Sequence, residues 1–201
     1  FGNRASLFLE LRNVVITAPC VTQGRVFGDN IQASQLFFNA TVANPDVGCL
    51  QTGQVVSMLN AFSGAAAANP DISRWDVRNV TDLSFFMSGA VSANPDFSQW
   101  KTNSLTNLTG AFASMGNKPM LDLSFFNVRN LATAVNMTNN TTLSVAMYDK
   151  LLIAWAAQSP LTPGVPLGMR ESRFSAAGQA ARTILTSAPN NWVITDAGLQ
   201  T

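Results

Sequence analysis

Apolar and polar positions along this chain recur with a period of about 25 residues, which makes the repeat the first thing to explain. In the clearest unit Ile72, Trp75, Val77 and Val80 are apolar and separated by polar residues, a pattern that predicts a short extended segment. Leu83, Phe86, Met87 and Ala90 follow at spacings of three and four, which predicts a turn or two of helix. The polar stretch within Val77-Arg78-Asn79 predicts a turn between the two halves.

The register holds over several copies. Asn-Pro-Asp stands at Asn44-Pro45-Asp46, Asn69-Pro70-Asp71 and Asn94-Pro95-Asp96, 25 residues apart each time. Asp71-Ile72-Ser73-Arg74-Trp75-Asp76-Val77-Arg78-Asn79-Val80 returns as Asp122-Leu123-Ser124-Phe125-Phe126-Asn127-Val128-Arg129-Asn130-Leu131, with Asp96 to Leu105 between them. An eroded earlier copy runs from Ile31 to Ala40, with Leu36 and Phe37 at the phases of Ala61 and Phe62. One such unit cannot bury its own apolar side, so neighbours must stack into a continuous core that brings Trp75, Trp100 and Phe126 together. The expected fold class is therefore an α/β solenoid, a stack of about 25-residue coils with a short parallel strand and a short helix or turn in each.

Open stacks need caps. Leu7, Phe8, Leu11 and Val15 lie on one side of an amphipathic helix predicted over Arg4 to Val15. At the other end Met147, Tyr148, Leu151, Leu152 and Trp155 follow helical spacing from a start near Ser144, and Pro160, Pro163 and Pro166 break the pattern. A short extended piece near Val165 to Leu167, a helix with Ser175 as N-cap and a strand at Trp192-Val193-Ile194-Thr195 complete the expectation. The chain thus divides into an N-terminal cap (1–29), repeats (30–142) and a strand-helix-strand C-terminal cap (143–201), all one domain.

The repeat Asp71-Ile72-Ser73-Arg74-Trp75-Asp76-Val77-Arg78-Asn79-Val80-Thr81-Asp82-Leu83-Ser84 and the ending Tyr148-Asp149-Lys150-Leu151-Leu152-Ile153-Ala154-Trp155-Ala156 resemble those of the BspA-like leucine-rich-repeat surface proteins. Phe174-Ser175-Ala176-Ala177 and Trp192-Val193-Ile194-Thr195-Asp196 are similar to that family's terminal segment, so the resemblance covers the chain from about residue 30. It implies a right-handed, LRR-like solenoid on an exported or surface protein, with adhesion or assembly roles. The Trp-Asp pair is complete only at Trp75-Asp76 and becomes Trp100-Lys101 and Phe126-Asn127 further on. The family brings no catalytic residues to transfer.

Composition narrows the chemistry. Apolar residues make up 47% of the 201, enough for one core, and only 11% are charged, so the polar surface is built from Asn, Ser, Thr and Gln. A formal net charge of +1, with Lys and Arg scattered, gives no reason to expect a nucleic-acid partner. No run of 18 apolar residues exists to span a bilayer as a helix. Without histidine there is no Ser-His triad or imidazole base, and an enzyme is not expected. Gly64 and Gly89 lack the Lys-Ser/Thr of a phosphate loop.

Other residues carry more specific expectations. Cys20 and Cys49 are an even pair suited to a disulfide between the N-terminal cap and the stack, with two free thiols as the alternative and too few ligands for zinc. Asn-x-Ser/Thr acceptors for N-linked glycans stand at Asn39, Asn79, Asn107, Asn136, Asn139 and Asn140. Asp46, Asp71 and Asp96 form a carboxylate row, which either satisfies turn amides or holds Ca²⁺. Phe37-Phe38, Phe85-Phe86 and Phe125-Phe126 pack in the core or lend outward members to a partner patch.

The reading that follows is a non-catalytic extracellular or cell-surface module without cofactor. It acts structurally or in protein–protein interaction, within a larger assembly or filament. Its expected partners are other subunits of that assembly, copies of itself among them, and N-linked glycans. The alternative is a carbohydrate-binding adhesin.

Overall fold

Parallel pairing joins residues one repeat apart. The computed structural model describes residues 31–42, 44, 46–48 and 50–200, so the N-terminal cap (1–29) and both cysteines lie outside the described residues. Short strands β1 (Ile31–Gln32) and β2 (Val55–Ser57) pair in parallel, as do β3 (Gly116–Asn117) and β4 (Thr141–Thr142). Single parallel bridges carry the pairing from Ser57 to Asp82, Asn107 and Thr133 in turn, and then from Ala134 to Leu167. Leu167 belongs to β5 (Pro166–Met169), whose parallel partner is β6 (Val193–Asp196). One column of paired backbone thus runs from Gln32 to Ile194, with a long crossover between successive members, as parallel pairing demands.

The turn half of each unit carries most of the backbone hydrogen bonds between neighbours. The N–H groups of Leu83, Phe85, Met87 and Gly89 donate to the carbonyls of Asn107, Thr109, Ala111 and Ala113 at 2.8–3.0 Å. The alternate N–H groups of Phe86, Ser88 and Ala90 donate three residues back, to Leu83, Phe85 and Met87. Met58 to Gly64 and Leu108 to Ser114 repeat the inter-unit pattern one unit earlier and one later. Every N–H along this stretch is satisfied, half of them by the neighbour.

A helix is ruled out there by backbone sign. Gln35, Asn60, Phe85, Gly110 and Asn136 share one phase, and all have positive φ. Asn39, Gly64, Gly89, Ser114 and Asn140 share a second, four residues on, with the same property. Helical residues need negative φ throughout, so two left-handed residues per unit leave only turns, and the spacing of Leu83, Phe86, Met87 and Ala90 marks their inward residues. The segment expected to be extended also differs. Trp75 N–H donates to the Ile72 carbonyl and Val80 N–H to that of Val77, each at 3.0 Å, so this half makes two turns and pairing begins beyond it, at Asp82.

Inward residues form one aromatic spine. Phe37 stacks on Phe62 at 5.3 Å between centroids, Phe62 meets Phe86 edge-on at 5.7 Å, and Trp100 stacks on Phe126 at 6.2 Å. Burying such a ring contributes about 1.5–3 kcal/mol for each large side chain. Each buried indole also finds an acceptor in another unit: Trp75 Nε1–H donates to Val47, Trp100 to Ile72 and Trp155 to Leu123.

The C-terminal end closes with two helices. Ser144 caps α1 (Val145–Ala156) and Ser175 caps α2 (Ala176–Thr186), each hydroxyl accepting a backbone N–H of the first turn. Buried Asp149 of α1 accepts the N–H and hydroxyl of Ser175, and Gly178 is required beside it because any Cβ would strike the carboxylate. Asp196 of β6 is held by the Tyr148 hydroxyl at 2.8 Å and by Arg182 Nε–H at 2.8 Å.

Candidate functional site

The acidic row is spent on backbone. At one phase Asp46, Asp71, Asp96 and Asp122 each accept the N–H two residues on, from Gly48, Ser73, Ser98 and Ser124, at 2.8–3.3 Å. The Ser73 hydroxyl, and next its N–H, hold the Asp71 carboxyl below the usual range. For Asp122 burial pushes upward, but the Lys150 ammonium and the Ser124 donors outweigh it and the net shift is down. Among the described residues no three acidic or thiol side chains converge to hold a metal ion. The Asn of the tripeptide works between units: Asn69 N–H donates to Asn44 Oδ1 at 2.7 Å and Asn94 N–H to Asn69 Oδ1 at 2.8 Å.

Two further phases repeat the same device. Asp76 and Asn127 each accept the N–H two residues on, from Arg78 and Arg129. Asp82 and Asn107 do so for Ser84 and Thr109. Side-chain donors then tie one unit to the one before: Asn79 to the Gly53 carbonyl, Ser104 to that of Arg78 and Asn130 to that of Asn103, each at 2.8 Å. Thr81 and Thr106 hydroxyls donate to Val56 and Thr81 in the same way.

The glycan acceptors divide by environment. Asn39, Asn136 and Asn140 are exposed on left-handed turns, and Asn139 is half-buried beside Asn140. Asn79 is exposed, yet its amide nitrogen already donates to Gly53. Asn107 is half-buried in the pairing column, its Oδ1 engaged by Thr109. Cys20 and Cys49, the disulfide candidates, lie outside the described residues.

Two of the aromatic pairs place one ring outward and one in the core. Phe85 and Phe125 are 41% and 44% exposed, whereas Phe86 and Phe126 are buried; Phe37 is buried and Phe38 half-buried. Phe85 lies over Gly110, and Phe125 carries the Lys150 ammonium 5.1 Å from its ring centre. These two rings occupy different phases of the unit and do not form one patch.

A cleft of about 590 Å³ opens where the chain after α1 passes the last repeat turns. Asn103, Asn127, Arg129 and Asn130 line one wall, and Pro160, Leu161 and Thr162 the other. The Thr162 N–H and hydroxyl both donate to the Arg129 carbonyl, at 3.1 and 2.9 Å, fixing the two walls together. Asn127 Nδ2 donates to Asn103 Oδ1 at 2.9 Å. No carboxylate lines it, so the site offers recognition by amides and a guanidinium and no acid–base pair. Sequence reasoning does not single out this group, although the change from Asp76 to Asn127 at one repeat phase marks the place.

Among the described residues no helix is long and apolar enough to cross a membrane. No curated protein and no solved structure matches the chain. A family model does match residues 31–150, which run from β1 through β4 and take in the first half of α1. Covering more than half of the 201 residues, that match shows that the chain belongs to the family described as "Mycoplasma protein of unknown function, DUF285".

Proposed function

We propose that this chain is a non-catalytic structural or protein–protein interaction module of an extracellular or cell-surface assembly, built as an LRR-like solenoid of the BspA-like kind. One observation carries the reading. The side chains at the recurring phases of Asn69, Asp71, Asp76, Asn79 and Asp82 are engaged with backbone of their own turn or of a neighbouring unit. What remains to act is the extended outer surface that repetition creates. The resemblance of the repeats to surface proteins supports the location.

A carbohydrate-binding adhesin is the second reading, favoured by Phe85. Its partly exposed ring shares a phase with Asn60 one unit before and Asn136 two units after, so this row mixes an aromatic with amides. Size analysis by light scattering under mild conditions, run beside a glycan array, separates the two. Concentration-dependent assembly supports the structural module. Saturable glycan binding by a protein that stays monomeric supports the adhesin. Turnover of any substrate that is abolished by Asp71→Asn overturns both.

A further inference from the structure

We propose that the cleft between Asn103, Asn127, Arg129, Asn130 and the Pro160–Thr162 segment is a binding site for a carboxylate-bearing ligand. The repeat supplies its own control. Arginine stands at the same phase in two units, as Arg78 and Arg129. In the first, Asp76 closes a two-point ion pair on the guanidinium, with Nε to Oδ1 at 2.9 Å and Nη2 to Oδ2 at 2.7 Å. In the second, Asn127 takes the place of Asp76.

That exchange keeps the turn and removes the charge. Asn127 Oδ1 accepts the Arg129 N–H at 3.1 Å, just as Asp76 Oδ1 accepts the Arg78 N–H at 3.2 Å. Asn127 Nδ2 turns away to Asn103 Oδ1. Among the described residues the Arg129 guanidinium has no ion pair and no hydrogen bond, and the Asn103 amide nitrogen has no acceptor. Arg129 and Asn103 both line the cleft, which places a planar fork and an amide donor there, and a carboxylate fits such a fork with two parallel bonds.

Charge and shape select the same class. None of the lining residues is acidic, and exposed Lys101 holds the phase of Asp76 and Asn127 in the intervening unit. One guanidinium among neutral amides suits a single negative charge. Pro160 and half-buried Leu161 offer apolar surface to the carbon body of the ligand. Gln158, accepting the Val128 N–H and donating to the Phe126 carbonyl, holds that wall in place beforehand.

Nitrogen-15 NMR titration of the full chain tests the site, with two carboxylates, N-acetylglutamate α-amide and glucuronate, each set against its neutral counterpart, N-acetylglutamine α-amide and glucose, at constant ionic strength. At least one carboxylate should saturate shifts of the Asn103 and Asn130 side-chain amides and of Arg129 Nε–H, while the neutral compounds leave them unmoved. The tighter of the two identifies the source as polypeptide or acidic saccharide. Asn127→Asp rebuilds the internal pair, and it and Arg129→Gln should each weaken binding about tenfold or more. A wild-type-like amide spectrum for Asn127→Asp keeps the comparison fair. Shifts that match those of the neutral compounds, or an Asn127→Asp variant that binds as well as the wild type, overturn the assignment.

Discussion

The indole N–H of Trp100 donates to the carbonyl oxygen of Ile72 at 2.9 Å, one unit after Trp75 makes the same bond to Val47 at 3.0 Å. Ile72 O also accepts Trp100's counterpart within its own unit, the Trp75 N–H, so this oxygen ties a turn and a neighbour together. Trp100→Phe removes the indole donor and part of a buried ring system. The expected loss is roughly 2–3 kcal/mol, the sum of a buried hydrogen bond and a small cavity. Urea unfolding should show a lower midpoint with an unchanged slope.

Gly110 and Phe85 are coupled across two units. Gly110 has φ +60°, and a Cβ there would come within 2.5 Å of the Phe85 ring. Gly110→Ala should therefore cost more than the roughly 1 kcal/mol of the left-handed backbone alone. In a Phe85→Ala background the same substitution should cost only that backbone part. Equal costs in both backgrounds, measured by a double-mutant cycle, would remove the ring from the account.

How much of this is legible in the sequence depends on the kind of residue. Trp75, Trp100 and Phe126 share a phase and are apolar, so their meeting in the core follows from the repeat, and Trp100 and Phe126 do stack. The starts of α1 and α2 at Ser144 and Ser175 are equally legible, because a hydroxyl before an apolar periodic run has a local reason to be there. The direction of the backbone in between is not. Leu83, Phe86, Met87 and Ala90 have helical spacing, and only the φ of Phe85 and Gly89 shows that they line turns. Glycine at 64 and 89 hints at this, but Phe85 in the left-handed region contradicts its own preference. The cleft is illegible for another reason: Pro160–Thr162 reaches Arg129 through a backbone bond between segments far apart in sequence.

Acid should weaken the fold through three carboxylates. The Ser73 donors hold Asp71 below the ordinary value of 3.8, the Arg78 side chain does the same for Asp76, and Lys150 with Ser124 does so for Asp122 against the opposing effect of burial. A group whose folded pKa is depressed contributes stability above its unfolded value and loses it as pH falls through the folded one. The unfolding free energy should then hold steady from pH 8 to about pH 5, where no histidine titrates, and fall progressively below about pH 4. Asp76→Asn and Asp122→Asn should each flatten that fall in denaturant titrations.

Tyr148 is the one tyrosine in the chain, so its ionisation can be followed without interference. Burial, then the Asp196 carboxylate that accepts its hydroxyl, pushes its pKa well above the ordinary 10.0. A raised value means stability that is present below the unfolded pKa and lost as pH rises above it. Tyrosinate absorbance should appear only together with alkaline unfolding. Tyr148→Phe leaves the Arg182–Asp196 pair in place and should cost about 1–2 kcal/mol.

Removal of one repeat tests the central claim, that successive 25-residue units are interchangeable layers of one hydrogen-bonded column. Deleting Asp82–Thr106 joins Thr81 to Asn107, so Asn107 takes over the bridge to Ser57 and the backbone bonds between units keep their register. The shortened chain should unfold cooperatively and retain the wild-type circular dichroism per residue, whereas a deletion at the same place that is a few residues shorter should not fold. If the in-register deletion is as unfolded as the out-of-register one, the units are not equivalent layers and the account fails.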